Sequence, residues 1–248
     1  MKMKIIIPAL LILLAAGFTA CKKDSTSTSA NSSLEFQVLA LNKTYSLPVS
    51  ASGTKSALVS SASLTWDTAK MVISRVKYEA ELKNSVTHRD SIKITYEWKG
   101  PQIVNLLDPT AVFGNYTLLP GFYDEIELNV IGLKKDAGIN PVFYLTGTYT
   151  NSTSVKVPIM FKVNEDVMFK TEKDSVNVTA DNSVFTSSIQ LYLDQLLLSV
   201  DPLVLDNATL TNGVIIISAE SNFDLYRIIM RNLHKDHHCN HGHHHGHN

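Results

Sequence analysis

The sequence predicts a mostly β fold, an antiparallel β-sandwich with one or two short helices near its C-terminal end. Three observations carry this. From Leu34 to about residue 185, apolar and polar residues alternate with a period of two, as in strands that face a core on one side and water on the other. Turn-forming residues punctuate these runs at short intervals, which favours a sandwich or a barrel. No long helical pattern separates the runs, so a parallel sheet built with crossover helices is not expected.

The first candidate strands are Leu34 to Leu41 and Thr44 to Val49, divided by Asn42-Lys43, and then Ala62 to Trp66. Val72, Ser74, Val76, Tyr78, Ala80 and Leu82 next alternate with Arg75, Lys77, Glu79 and Glu81, so the first set is assigned to the core. Ile92, Ile94, Tyr96 and Trp98 alternate with Lys93, Thr95 and Glu97, up to a turn expected at Lys99-Gly100-Pro101. Ile126, Leu128 and Val130 repeat the pattern, and Val142 to Tyr149, Val155 to Val163 and Ser175 to Thr179 complete it, with a turn at Asn151-Ser152.

Between Ser187 and Val200, the residues Ile189, Leu193, Leu196, Leu197 and Val200 fall on one face at helical spacing. The first half, through Ile189, Leu191 and Leu193, also fits a strand that passes into a helix. Asp201-Pro202 ends that segment, and Val214 to Ser218 reads as a buried strand. A final helix is capped by Ser221 or Asn222, carries Asp224 in its first turn, and presents Phe223, Tyr226, Ile229, Met230 and Leu233 as an apolar face. No internal repeat is visible, and residues 34–233 are read as a single domain.

Composition narrows the function classes. The 248 residues are 44% hydrophobic and 18% charged, with a net charge of −1 and two cysteines. A near-neutral chain lacks the basic excess of a nucleic-acid binder. Two cysteines cannot make a disulfide framework, and a mean hydropathy of +0.03 does not suit a multi-span membrane protein.

The N-terminus reads as an address and an anchor. Lys2 and Lys4 precede an apolar run from Ile5 to Ala16, followed by small residues and Cys21, so residues 1–20 form a secretory signal peptide. The run is shorter than the roughly 20 residues of a membrane span. Phe18-Thr19-Ala20-Cys21 resembles a bacterial lipobox, with Phe18 where leucine is commonest, and such loosened lipoboxes look like those of Bacteroidota. The resemblance implies lipid attachment at Cys21. Lys22, with no aspartate directly after the cysteine, implies an outer-membrane lipid anchor, on the periplasmic or the cell-surface face. Residues 21–33 are rich in serine and threonine and carry no large hydrophobe, as expected of a flexible tether.

A second resemblance spans residues 34–233. Leu64-Thr65-Trp66, Ile73-Ser74-Arg75-Val76, Ile103-Val104-Asn105-Leu106-Leu107 and Leu119-Pro120-Gly121-Phe122-Tyr123 look like segments of uncharacterised Bacteroidota outer-membrane lipoproteins with a β-sandwich-like domain of unknown function. It implies location and fold, and nothing about chemistry. The sandwich is expected to be immunoglobulin/transthyretin-like, with Pro120-Gly121 at the centre of a type II turn.

The domain itself offers no reaction chemistry. His88 lies in a polar stretch, Asn84 to Asp90, and reads as a solvated loop residue. There is no G-x-S-x-G, glycine-rich phosphate loop, H-E-x-x-H or EF-hand loop, so no catalytic residue is assigned and an enzyme is not expected. Glu125 and Glu127 share one strand face and read as a solvated outer surface. Trp66, Tyr78, Tyr96 and Trp98 sit in alternating strands and read as core packing in place of a sugar platform.

The chemistry is concentrated in residues 234–248. Eight of the nine histidines fall there, with Cys239 and Asp236. Such a segment cannot build a core and is expected to be disordered without a ligand. His234, His237, His238, Cys239, His241, His243, His244, His245 and His247 are the candidate ligands for a transition-metal ion, Zn, Ni or Cu. Gly242 and Gly246 argue against a rigid continued helix and for a chelator with overlapping registers. Ligation needs neutral imidazole, so binding weakens as the pH falls through about 6.5. The leading expectation is metal buffering, resistance or delivery by an anchored lipoprotein, with a metal transporter as one partner. The alternative is a cell-surface module that recognises glycan or protein, its tail incidental.

Overall fold

In the computed structural model, which describes residues 32–47, 62–83, 91–110, 112–179 and 184–235, the alternating runs are strands. Before the first helix come β1 (Ser32–Leu41), β2 (Thr44–Ser46), β3 (Ser63–Lys83), β4 (Ser91–Asn105), β5 (Val112–Leu118) and β6 (Gly121–Gly132). After the short α1 (Lys134–Ala137) come β7 (Phe143–Thr150), β8 (Lys156–Val163), β9 (Val167–Val178) and β10 (Val184–Tyr192). A 3-10 turn (Leu193–Gln195), α2 (Pro202–Asp206), β11 (Leu210–Thr211), β12 (Val214–Ile217) and α3 (Phe223–Lys235) complete the described chain. The signal peptide, Cys21, His88 and the tail donors from His237 onward lie outside the described residues.

Among the described residues the strands form two sheets. One is three-stranded, in the order β10-β1-β5. The other is nine-stranded and follows β11-β12-β8-β7-β3-β6-β9, with β2 and β4 paired to β3 off this path. Strand β3 organises the large sheet because its two halves have different partners. Ser63 to Met71 pairs with β7, and Arg75 to Leu82 pairs with β6.

The sequence reading places two runs here, Ala62 to Trp66 and Val72 to Leu82. The backbone instead runs straight through. Register shifts between Trp66 and Thr68 and between Ile73 and Arg75 each move the alternation by one residue. Leu64 and Trp66, then Ala69, Met71 and Ile73, then Val76, Tyr78, Ala80 and Leu82 are all buried as a result.

Other expectations need correcting. Pairing is not wholly antiparallel, because β1 runs parallel to β10 and β12 parallel to β8. Each pair joins strands far apart in sequence, so local periodicity carries no trace of it. The turn expected at Lys99-Gly100-Pro101 lies inside β4, which crosses it through a cis Gly100–Pro101 peptide. Proline is tolerated there because, among the described residues, β4 pairs with β3 alone. Ile92, assigned to the core, is 59% exposed near the start of β4. Gly121, expected within a turn, is the first residue of β6 and pairs with Val178. Of the two readings of Ser187 to Val200, the continuous helix is not formed and the strand that passes into a helix is, as β10 followed by the short 3-10 turn. Strand β5 was not anticipated. Gly114, at φ 65°, is the extra residue of a bulge opposite Glu35 and Phe36, and it breaks the period of two. Finally, β1 begins at Ser32, which is buried and donates its hydroxyl to the Thr179 carbonyl at 2.8 Å, so the fold takes up the last two residues assigned to the tether.

An aromatic cluster joins the two sheets. Phe36 of β1 lies against Tyr78 and Tyr116, with ring centroids 5.5 and 5.4 Å away. Tyr96 stacks on Tyr78 and Tyr116 at 5.8 and 4.6 Å, and Trp98 meets Phe113 edge-on at 5.3 Å. Each pair adds about 0.5–1.5 kcal/mol beyond its buried area. Trp66 and Tyr78 are fully buried, while Tyr96 and Trp98 are half-buried against the same core.

The other half of the large sheet is covered by helices. Tyr149 of β7 donates its hydroxyl to Asp206 Oδ1 at 2.6 Å and to the Pro202 carbonyl at 3.2 Å, and Ser152 donates to Asp206 Oδ2 at 2.6 Å. These bonds fasten α2 to β7 and to the turn that follows it. No helix among the described residues is long and apolar enough to cross a membrane.

Candidate functional site

Helix α3 carries the first residue of the histidine-rich run, so its docking decides how that run is presented. Leu225, Tyr226, Ile229, Asn232 and Leu233 are buried. Tyr226 packs on Phe161, with centroids 5.9 Å apart, and donates its hydroxyl to Glu165 Oε1 at 2.6 Å. Burial, and then the hydrogen bond to Glu165, push the Tyr226 phenol above its ordinary range. Near the other end, Asn232 Nδ2 donates to the carbonyls of Leu196 and Leu198, each at 3.0 Å. The helix is therefore held at both ends by buried polar contacts, and between them by aliphatic packing.

Two sequence expectations about α3 change. Phe223 is 53% exposed and leaves its place on the buried face to Leu225 and Asn232. Asn222 uses its side chain across the preceding loop, accepting from the Thr209 amide and donating to the carbonyls of Thr209 and Ile216.

The exposed side of α3 borders an open groove of about 620 Å³ lined by Glu165, Asp224, Arg227, Met230, Arg231 and His234. His234 is exposed on the last turn, within α3 and not in the unstructured segment the sequence reading gave it. Its Nδ1 lies 2.6 Å from the Met230 carbonyl oxygen. A carbonyl only accepts, so in this contact Nδ1 is the donor. This arrangement is the usual one for a metal-ligating histidine, whose second nitrogen is fixed by a carbonyl or carboxylate. His237, His238, Cys239, His241, His243, His244, His245 and His247 follow in sequence but lie outside the described residues, as does Cys21.

The structure also assembles a group that sequence reading did not. Glu125 and Glu127 of β6 meet Glu172 of β9, and their carboxylate oxygens lie within 4.8 Å of one another. Glu127 is directly opposite Glu172 in the ladder, a non-local pairing with no local signal. The surroundings identify this group as a lattice of surface charge. Lys170 Nζ lies 2.7 Å from Glu127 and 3.2 Å from Glu172, and Asn129 donates to Glu127. Lys170, and then Asn129, hold the Glu127 carboxyl below its ordinary range. Repulsion from Glu172 first, with burial and Glu127 after it, pushes the Glu125 carboxyl up. On the neighbouring strand, Lys77 and then Lys93 lower Glu79. The solvated face expected for Glu125 and Glu127 is what these contacts describe.

No protein-family model matches the chain, and neither a curated protein nor a solved structure matches it.

Proposed function

We propose that this protein is a membrane-anchored lipoprotein that binds transition-metal ions, Zn, Ni or Cu, through its histidine-rich C-terminal run. The observation that carries the proposal is the placement of donors. Eight of nine histidines and one of two cysteines occupy the last fifteen residues, and that run starts at the exposed His234 in the final turn of a docked helix. Imidazole and thiolate suit these borderline and soft ions, whereas the described domain offers only a carboxylate group already engaged with Lys170. Buffering, protection from excess metal and handover to a transporter all use the same binding step.

The wider reading keeps its elements as proposals. Cys21 carries the lipid, the anchor lies in the outer membrane, and the relatives are the Bacteroidota lipoproteins that the sequence resembles. The architecture is an immunoglobulin/transthyretin-like sandwich, supported by one hydrophobic cluster shared between the two sheets. No catalytic step and no nucleic-acid partner is assigned.

Titration with Zn²⁺, Ni²⁺ and Cu²⁺ against a competing chromophoric chelator, for the full chain and for a chain lacking residues 234–248, tests the proposal. The full chain is expected to bind all three, Cu²⁺ tightest, and the shortened chain to lose the tight sites. Equal metal content in both refutes it, and would favour the glycan- or protein-binding module.

A further inference from the structure

We infer that β4 is a dimerisation edge: two copies of the chain pair their β4 strands antiparallel about a two-fold axis through Thr95. Nothing in this depends on metal binding.

Among the described residues β4 pairs with β3 alone, so half of its peptide groups point away from the sheet. From Ser91 to Lys99 it follows β3 without a register shift, and Pro101 just beyond has no N–H to offer a further strand. The residues of this stretch on the water side, Ser91, Lys93, Thr95, Glu97 and Lys99, are exposed. On the core side Ile94, Tyr96 and Trp98 are only partly buried, and Ile92 is 59% exposed. An apolar row that faces the core and yet stays this open is the mark of a strand with room beside it.

What fits there follows from the order of the side chains. A two-fold axis perpendicular to the sheet keeps every side chain on its own face, so it passes through a residue and not between two. With Thr95 on the axis, Lys93 of each copy lies opposite Glu97 of the other, and the pair forms twice. On the core side Ile94 lies opposite Tyr96 and Ile92 opposite Trp98, again twice each, and aromatic–β-branched pairs of this kind stabilise antiparallel sheets. Neighbouring centres do worse. Tyr96 on the axis sets Lys93 against Lys99, and Lys93 or Glu97 on the axis sets a charge against its own copy. Ile94 on the axis leaves Lys93 and Glu97 opposite Thr95 and Ser91. Lysine on an edge strand usually keeps other strands away. Here Glu97 makes the same lysine select one register. Within one chain Lys93 reaches Glu79 at 2.9 Å, and Glu97 reaches Lys99 at 3.4 Å and Arg75 at 3.7 Å. Pairing therefore continues a row of alternating charge across the axis. One strand from each copy is small beside the roughly 20–30 residues a side of a stable complex, so the dimer is weak, with a Kd between about 1 μM and 1 mM.

Sedimentation velocity of the full chain over about 1 μM to 1 mM tests this, with a chelator present so that metal cannot bridge copies through the histidine-rich run. The samples are the parent, K93E, E97K, an equimolar mixture of those two variants, and the double variant K93E/E97K. The parent should show a monomer–dimer equilibrium. Each single swap turns two attractions into two repulsions and should weaken self-association about tenfold or more. The mixture should associate again, because one variant then brings only acids and the other only lysines to the two positions. The double variant should match the parent, since its exchanged charges still meet. A parent that stays monomeric throughout overturns the proposal and leaves the edge to a strand of another protein. Single variants that associate as tightly as the parent also overturn it, as does a mixture or a folded double variant no tighter than the single swaps. Circular dichroism melts check that each variant folds; should one single variant not fold, the other and the double variant decide.

Discussion

Replacing Asn232 with leucine keeps a side chain of similar size on α3 but removes the donor that holds two carbonyls. Asn232 is almost buried, and its Nδ2 reaches Leu196 and Leu198 at 3.0 Å each. The two acceptors do not respond alike. Leu196 is 2% exposed, so its carbonyl stays dry and unsatisfied, at a cost of about 1–3 kcal/mol. Leu198 is 54% exposed, so water can replace the lost donor and only the net bond is forfeited, about 0.5–1.5 kcal/mol. Burying a larger apolar side chain returns about 1 kcal/mol. The expected loss for N232L is therefore about 2 kcal/mol, or about 4–8 °C in Tm. Urea unfolding followed by far-UV circular dichroism measures it, with an unchanged m-value as the check that the transition is the same. A variant within 0.5 kcal/mol of the parent would show that these bonds do not dock the helix.

Two tyrosine hydroxyls should respond in opposite ways. Tyr149 donates to Asp206 and the Pro202 carbonyl, so Y149F should cost about 1.5–3 kcal/mol, and S152A in the same background should add less than it does alone, because both hydroxyls serve one carboxylate. Tyr78 is fully buried and, among the described residues, its hydroxyl finds no hydrogen-bond partner, so Y78F should be neutral or stabilise by up to about 1 kcal/mol in the same denaturation assay. Glu125 is raised by repulsion from Glu172, so its charged form destabilises the native state at neutral pH, and that penalty disappears as the pH falls through its raised pKa. E125Q should accordingly raise Tm at pH 7 and lose its advantage in acid, measured by scanning calorimetry across pH. Gly147 faces Trp66 across the β3–β7 ladder, and a Cβ there would lie 2.1 Å from the Thr65 carbonyl oxygen. G147A should therefore cost about 3 kcal/mol or more, read from its urea midpoint.

Strands were legible where the core contact is periodic and local. Val76, Tyr78, Ala80 and Leu82 show it plainly, with charged residues between them on the water side. The same rule fails where a bulge changes the phase. Asp67 and Ser74 each sit at such a shift, and so one strand reads as two. Strand β5 is hidden for the same reason by Gly114. Position along a strand matters too, since Ile92 has the right spacing but lies near the start of β4 at the edge of the sheet.

The candidate site was legible in a different way. A run of imidazoles is a matter of composition and needs no fold to be seen. What composition does not carry is that α3 extends through Lys235 and that Asn232 binds two carbonyls from the segment after β10. Sequence alone therefore lists His234 as one ligand among nine, and the contact of its Nδ1 with the Met230 carbonyl comes from the helix. The meeting of Glu172 with Glu125 and Glu127 depends wholly on the β6–β9 register, which no local pattern encodes.

X-ray absorption at the zinc edge, on the full chain loaded with one equivalent of Zn²⁺, bears most directly on where the metal goes. We expect a first shell at about 2.0 Å with the outer-shell scattering of several imidazole rings, and a sulfur near 2.3 Å if Cys239 takes part. A shell of oxygens at about 2.0–2.2 Å without imidazole scattering, as Glu125, Glu127 and Glu172 would give, would contradict it.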